Sequence, residues 1–203
     1  MMTTLKKGNK GADVQVLQRA LHLADDGIFV KVTEDAVKTF QRTHGLTSDG
    51  IVGAKTWAAI NEADNYWTKR KITEIIVHCT ATKEGQEISV ADVDRWHRER
   101  GFAGIGYHFL IYLDGSIHNG RPINKAGAHC VGHNANSIGI CYVGGLDAKG
   151  KPKDTRTQAQ KVALLTLLKR LKALYPLATI HGHREFANKA CPCFDARAEY
   201  ARI

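Results

Sequence analysis

The sequence predicts an α/β fold, a mixed central sheet flanked by helices, preceded by a small three-helix domain. Three observations predict it. Residues 1–62 show helical periodicity and no β-rich run. From residue 72 onward, short apolar runs alternate with capped helical segments, the pattern of a sheet with helices packed on it. Between them, residues 63–71 are polar and charged without apolar period, and read as a linker.

In the front domain, Asp13 is placed to cap a first helix that carries Val14, Leu17 and Leu21 on one face. Thr33 is placed to cap a second, with Glu34 and Asp35 favouring its N-terminal dipole and Val37 and Phe40 facing inward. His44-Gly45 reads as its stop. A third helix runs from about Gly53, with Trp57 and Ile60 one turn apart. Asp26-Gly27-Ile28 and Asp49-Gly50-Ile51 are matching turns that should each drop an isoleucine or its neighbour into the core. His22 and His44 are isolated and read as surface or packing residues, so nothing in this domain looks catalytic.

The second domain, residues 72–203, opens with the buried-strand run Ile72 to Cys79, which ends on His78. Ser89 to Asp92 has the form of a capping box for a helix reaching about Arg100, with Val93, Trp96 and Arg100 on one face and Gly101 as its stop. Gly106 to Leu113 reads as the next strand, and Asp114-Gly115 turns it into Ser116-Ile-His-Asn. Alternation sets Tyr107, Phe109 and Ile111 on one face, His108 and Leu110 on the other. A polar loop carries His129, and Ile138 to Val143 is a further strand. Lys149 to Asp154 reads as a solvated excursion. Thr157 to Gln160 is a second capping box, opening the longest helix, with Leu164, Leu167, Leu168, Leu171 and Leu174 as its core stripe and Pro176 as its stop. Leu177 to Ile180 is a short strand, and Asp195 to Ile203 a closing helix.

Composition bounds the function. The hydrophobic fraction is 43% and the charged fraction 24%, ordinary for a globular protein, and no run approaches a membrane span. The N-terminus has no apolar core of a Sec signal, so synthesis in the cytoplasm is expected. The net charge is +9, and nearly all of it belongs to the second domain. Such a surface suits an anionic polymer, whether nucleic acid, lipid or cell wall. No nucleic-acid motif accompanies it, and none is expected as a partner. Five cysteines, an odd number at irregular spacing, argue against a disulfide framework and for metal binding or burial. Cys79 and Cys141 sit in apolar runs and read as inert core thiols.

The densest chemistry is the late stretch His181-Gly-His183 through Lys189-Ala-Cys191-Pro-Cys193. Two imidazoles and two thiols suggest a borderline cation, above all zinc. If His78 meets one histidine and one cysteine of this stretch, three ligands leave a fourth position for water, the catalytic pattern. Lys189 could supply positive charge and Tyr107 a phenolic donor to an oxyanion.

Two resemblances sharpen this reading. Leu5, Gly8, Gly11, Val14 and Leu17-Gln18, then Val37, Phe40-Gln41, Gly45-Leu46, Asp49 to Gly53 and Thr56-Trp57, resemble the peptidoglycan-binding domain of cell-wall hydrolases. Ile-Val-His78-Cys-Thr-Ala-Thr, Trp96-His97-Arg98, Gly106-Tyr107-His108-Phe109, Asn136 to Ile140 and His183 to Pro192 resemble the zinc-dependent N-acetylmuramoyl-L-alanine amidases of the phage lysozyme and peptidoglycan recognition type. The second resemblance implies one Zn2+ held by His78, His183 and Cys191, with Tyr107 and Lys189 catalytic and His129 near the substrate. It implies a peptidoglycan hydrolase that cuts the amide between N-acetylmuramic acid and L-alanine by zinc-activated water. A monomer acting on the wall after release or non-Sec export is expected. The alternative is a non-catalytic wall-binding or regulatory protein that also engages a cytoplasmic partner. His181 and Cys193 are surplus, and read as neighbours that do not bind metal.

Overall fold

A computed structural model describes residues 3–21, 23–64, 68 and 70–203. His22, together with residues 65–67 and 69 of the expected linker, lies outside them. The chain divides into two compact units, Met1–Tyr66 and Trp67–Ile203.

The first unit holds α1 (Ala12–Ala20), α2 (Lys31–Thr43) and α3 (Ala54–Asp64) around Leu5, Val14, Leu17, Phe29, Val37, Val52, Trp57 and Ile60. Neither expected cap is a cap. Asp13 lies inside the first turn of α1, where its carboxylate accepts from the Thr3 hydroxyl. Thr33 is the third residue of α2 and is buried, because its hydroxyl takes a bond from the Gln18 amide instead. The paired turns do feed the core, through Phe29 and Val52, while Ile28 and Ile51 remain exposed.

Each turn closes on a buried glutamine. Gln18 Nε2 donates to Asp26 Oδ1 (2.7 Å) and the Ile28 carbonyl (3.1 Å), and its Oε1 accepts from Gly27 N–H (2.8 Å). Gln41 repeats this with Asp49 (2.8 Å), Ile51 (2.9 Å) and Gly50 (2.9 Å). Gly27 and Gly50 have φ of 74° and 77°, which a side chain rarely adopts. The matched turns are thus the visible part of an internal repeat whose hub is one fully bonded amide per copy.

In the second unit, β1 (Glu74–Cys79), β3 (Phe109–Ile111), β4 (Ile117–Asn119), β5 (Ser137–Tyr142) and β7 (Thr179–Gly182) form a sheet of order β4-β3-β5-β1-β7. β1 runs parallel to both neighbours, β3 parallel to β5, and β4 antiparallel at the edge. A second small sheet pairs β2 (Thr82–Lys83) with β6 (Gly145–Leu146). The central strands are buried throughout β3 and β5 and from Ile75 on in β1, as parallel strands with both faces covered must be.

Three helices pack around the sheet. α4 (Val90–Glu99) starts at the expected capping box of Ser89 and Asp92. Its inward face carries Val93 and His97, whereas Arg100 is exposed at the C-cap. α5 (Gln158–Leu174) starts at the Thr157 and Gln160 box and buries Leu164, Leu167, Leu168 and Leu171. The buried Gln160 amide also donates to the carbonyls of Ile111 and Val143, tying α5 to the ends of two strands. Asp195 caps α6 (Ala196–Glu199).

Several expected boundaries move for local reasons. β3 begins at Phe109, because the Gly106 N–H bonds the His97 ring rather than a neighbouring strand. Alternation therefore does not reach Tyr107, which packs beside Leu110 against Val93 and Cys141. The last strand lies two residues later than expected, leaving Leu177 exposed. The linker reading also shrinks. Thr68 N–H donates to Tyr175 Oη (2.8 Å), and the Arg70 guanidinium bonds the carbonyls of Ile123, Asn134, Ala135 and Ser137, so both belong to the second unit. Among the described residues no helix is long and apolar enough to cross a membrane.

The repeated glutamine hub makes a paired prediction. Gln18→Ala and Gln41→Ala should each destabilise the first unit by about 1–3 kcal/mol, since each leaves a buried turn N–H without its acceptor. Urea unfolding of the full chain should show similar losses for the two; a neutral effect at either position would remove the hub role.

Candidate metal centre

His78 is the penultimate residue of β1, with Cys141 and then Leu110 opposite it in the parallel register. Residues in that row point to the α4 side of the sheet, so the ring is buried beneath the helix rather than displayed at a strand edge. β7 runs beside β1 and ends at Gly182, and His183 opens a 3-10 turn, His183–Glu185. A Cβ on Gly182 would lie 2.8 Å from Pro192 Cδ, so only glycine lets this strand end pass the loop that carries Cys191. That loop is pinned twice. Arg184 N–H donates to the Cys191 carbonyl (2.7 Å), and Tyr142 Oη–H to the Pro192 carbonyl (2.6 Å).

These elements bring one ligand atom each from His78, His183 and Cys191 within 4.8 Å of one another. The His78 and His183 ring centroids are 4.5 Å apart, and Cys191 Sγ is 3.9 Å from His78 Nδ1. Cys79 N–H donates to Cys191 Sγ (3.3 Å). The donor chemistry fits a borderline dication. Burial, aided by neighbouring His129 and His183, holds the His78 imidazole well below its usual range, and burial and Lys189 lower His183. Both rings are therefore neutral near pH 7, the form that ligates. The Cys191 thiol is lowered, first by the hydrogen bond from the Cys79 thiol, against the opposing effect of burial.

The other face of His78 is also occupied. Its Nε2 lies 3.0 Å from His129 Nδ1. With Nδ1 facing Cys191, the ring proton belongs on Nε2 and is donated to His129, whose own Nε2–H faces Ser137 Oγ at 3.4 Å. His129 is buried, and its ring meets His78. Its space exists because two neighbours lack side chains. A Cβ at Gly139 or at Gly127 would fall 2.5 or 2.4 Å from the His129 ring.

Tyr107 stands beside both rings, its centroid 5.0 Å from His78, 6.3 Å from His129 and 5.3 Å from His97. Burial pushes its phenol well above the usual range, so it stays protonated and acts as a donor. Lys189 is exposed on the loop before Cys191 and forms no ion pair among the described residues. Its charge reaches the group, lowering His78, His183 and Cys191 alike.

The surplus residues fall outside the group. His181 Nδ1 meets Glu185 Oε2 (2.7 Å) and its Nε2 meets Thr179 Oγ1 (2.8 Å), and the strand ends before it could share a face with His183. Cys193 turns its thiol to the Gly145 carbonyl (3.0 Å). Two supporting residues were not singled out from sequence. His97 accepts the Gly106 N–H (2.8 Å), with burial holding its pKa to about 4. Arg70 gathers four carbonyls of the loop bearing His129. His97 did lie in a quoted motif; the only signal for Arg70 was its place just ahead of β1.

Similarity to known proteins extends over both units. Residues 68–194 match the N-acetylmuramoyl-L-alanine amidase family, and residues 10–60 match a putative peptidoglycan binding domain. The endolysin of Klebsiella phage KP32 is 45% identical over 132 residues, covering 64% of this chain and 87% of that protein. The solved N-acetylmuramoyl-L-alanine amidase LysC from Clostridium intestinale URNW is similar with a TM-score of 0.56 at 30% identity, over 64% of this chain and 82% of that one. Drosophila PGRP-LB is similar with a TM-score of 0.56 at 25% identity, over 66% and 82% of the two chains.

The packing of His129 over bare backbone leads to a test. Gly139→Ala should displace the His129 ring and weaken binding of a dication by roughly 10–100-fold, the usual cost of losing a ligand's orienting partner. Competition with a chromophoric chelator measures it; unchanged affinity would mean that His129 does not orient His78.

Proposed function

The chain belongs to the N-acetylmuramoyl-L-alanine amidase family, and from that premise we propose that it is a zinc-dependent, endolysin-like peptidoglycan hydrolase. Its scissile bond is the amide between the lactyl group of N-acetylmuramic acid and L-alanine of the stem peptide. The observation that carries this reading is the meeting of His78, His183 and Cys191 within 4.8 Å from segments over a hundred residues apart. Two neutral imidazoles and one thiolate are three protein ligands, the number that leaves a position open in catalytic zinc sites. Zinc bound there supplies Lewis acidity toward water and toward an amide carbonyl near neutral pH.

The remaining roles follow from charge and protonation. Attack on an amide builds negative charge on the carbonyl oxygen, and pre-placed donors and cations favour that charge. Tyr107 is a protonated phenol at the flank of His78, suited to donate to that oxygen. Lys189 is an exposed cation whose field already covers the three ligands, suited to draw in and balance anionic charge. His129 acts through His78, keeping the ring in one tautomer and one orientation. We assign residues 1–62 to a wall-binding module that keeps the hydrolase on its polymer, with residues 72–203 as the catalytic domain. The positive excess of the second domain suits an anionic wall. The chain is proposed to act on the wall as a monomer.

Two substitutions separate metal binding from catalysis. Cys191→Ala should take zinc content from about one per chain to near zero, by elemental analysis, and abolish release of soluble fragments from purified sacculi. Full zinc retention would overturn the ligand set, and a zinc-loaded wild type that releases nothing would favour a non-catalytic binder. Lys189→Ala should keep its zinc and lose roughly 100–1,000-fold in turnover, the range for removing one stabiliser of a developing oxyanion. Unchanged turnover would strip Lys189 of its role.

A further inference from the structure

Cys79 and Cys193 take no place in the metal group, yet their sulfurs lie 3.8 Å apart. Several features bring them together. Cys79 is the last residue of β1 and is buried, held in a strand paired on both flanks. Cys193 follows Pro192 with φ of 71°, a backbone conformation uncommon for a side-chain-bearing residue and costly unless its surroundings impose it. Here the Cys193 N–H donates to the Ala190 carbonyl (2.6 Å), and the thiol donates to the Gly145 carbonyl (3.0 Å). A Cβ at Gly145 would sit 2.5 Å from Cys79 Sγ and 3.6 Å from Cys193 Sγ. The chamber that holds both sulfurs therefore exists only because residue 145 is glycine.

We propose that Cys79 and Cys193 form a reversible disulfide, a covalent staple between the end of β1 and the loop that presents Cys191. The sulfurs must close from 3.8 Å to about 2.05 Å. Turning the Cys193 side chain from the Gly145 carbonyl toward Cys79 supplies that movement, since Cys79 is locked in the central sheet. The reaction needs an oxidant of the disulfide class, such as glutathione disulfide. Cys193, the more exposed of the two, attacks one sulfur of the oxidant and expels one glutathione, which leaves with the Cys193 proton. Cys79 then attacks the Cys193 sulfur of the mixed disulfide and expels the second, which takes the Cys79 proton. One protein S–S bond forms and one glutathione S–S bond breaks. Two electrons pass to the oxidant, and the two thiol protons end on the two glutathiones. A reducing cytosol keeps the pair open, and an oxidising compartment closes it.

Cys79 has a second sulfur neighbour in Cys191, whose Sγ accepts its N–H. The choice of Cys193 over Cys191 rests on the zinc reading above, which commits the Cys191 thiolate to the metal. Cys130 and Cys141 are buried in other surroundings. The staple closes a loop from residue 79 to residue 193, most of the second unit, and so removes much freedom from the unfolded chain.

The test uses the zinc-loaded full chain, treated with glutathione disulfide, alkylated in denaturant and digested for mass spectrometry. The expected result is one Cys79–Cys193 crosslinked peptide, with Cys130, Cys141 and Cys191 alkylated. The thermal midpoint of the oxidised protein should rise by roughly 5–10 °C and fall back on reduction. Cys193→Ser should lose both the crosslink and the shift. Five alkylated thiols after oxidation, glutathione retained on Cys193 beside a free Cys79, or a Cys79–Cys191 link in zinc-retaining protein would each overturn the proposal. Zinc content of the unoxidised sample is read separately and tests the metal assignment alone.

Discussion

The position of β1 between two parallel neighbours is the constraint on which the site depends. Register with β5 and β7 sets the height of His78 in the sheet and delivers the chain to His183 beside it. The same strand end offers the Cys79 N–H to Cys191 Sγ, so the cysteine of the group is held by the backbone of the residue next to His78. A strand bonded on both flanks cannot slip by one residue without turning His78 to the opposite face. The precision of the group is therefore inherited from the sheet, and the loop bearing Cys191 needs only local pins.

What was legible in the sequence was local or chemical. The Ser89 and Thr157 capping boxes were readable because the cap and its partner lie three residues apart. The leucine stripe of α5 and the buried run of β1 were readable from period and burial alone. The α/β architecture followed from their alternation, and the amidase resemblance from motifs spaced along the whole second domain. Chemistry alone left two histidines and two cysteines open in the late stretch. The sheet decides between them by geometry: β7 ends at Gly182, so His181 is left to Glu185 and Thr179, while His183 turns toward Cys191.

What was not legible depends on space made by residues far away in sequence. The place of His129 requires bare backbone at Gly127 and Gly139. The shift of Tyr107 from its expected strand face requires the His97 ring to take the Gly106 N–H. Arg70 read as linker charge because its acceptors are carbonyls, which carry no side-chain signature. Thr33 looked like a cap for the same reason: its true partner, Gln18, lies in the preceding helix.

Burial also sorts the protonation states of the site. Desolvation disfavours whichever form is charged, so it lowers His78, His183 and His129 and raises Tyr107. Near neutral pH the imidazoles are then free to accept a metal or a proton, and the phenol keeps its proton to donate. Cys191 is the exception among the buried groups, because hydrogen bonds from Cys79 outweigh desolvation and favour its thiolate. Lys189 is the exception by position, remaining in solvent at the rim.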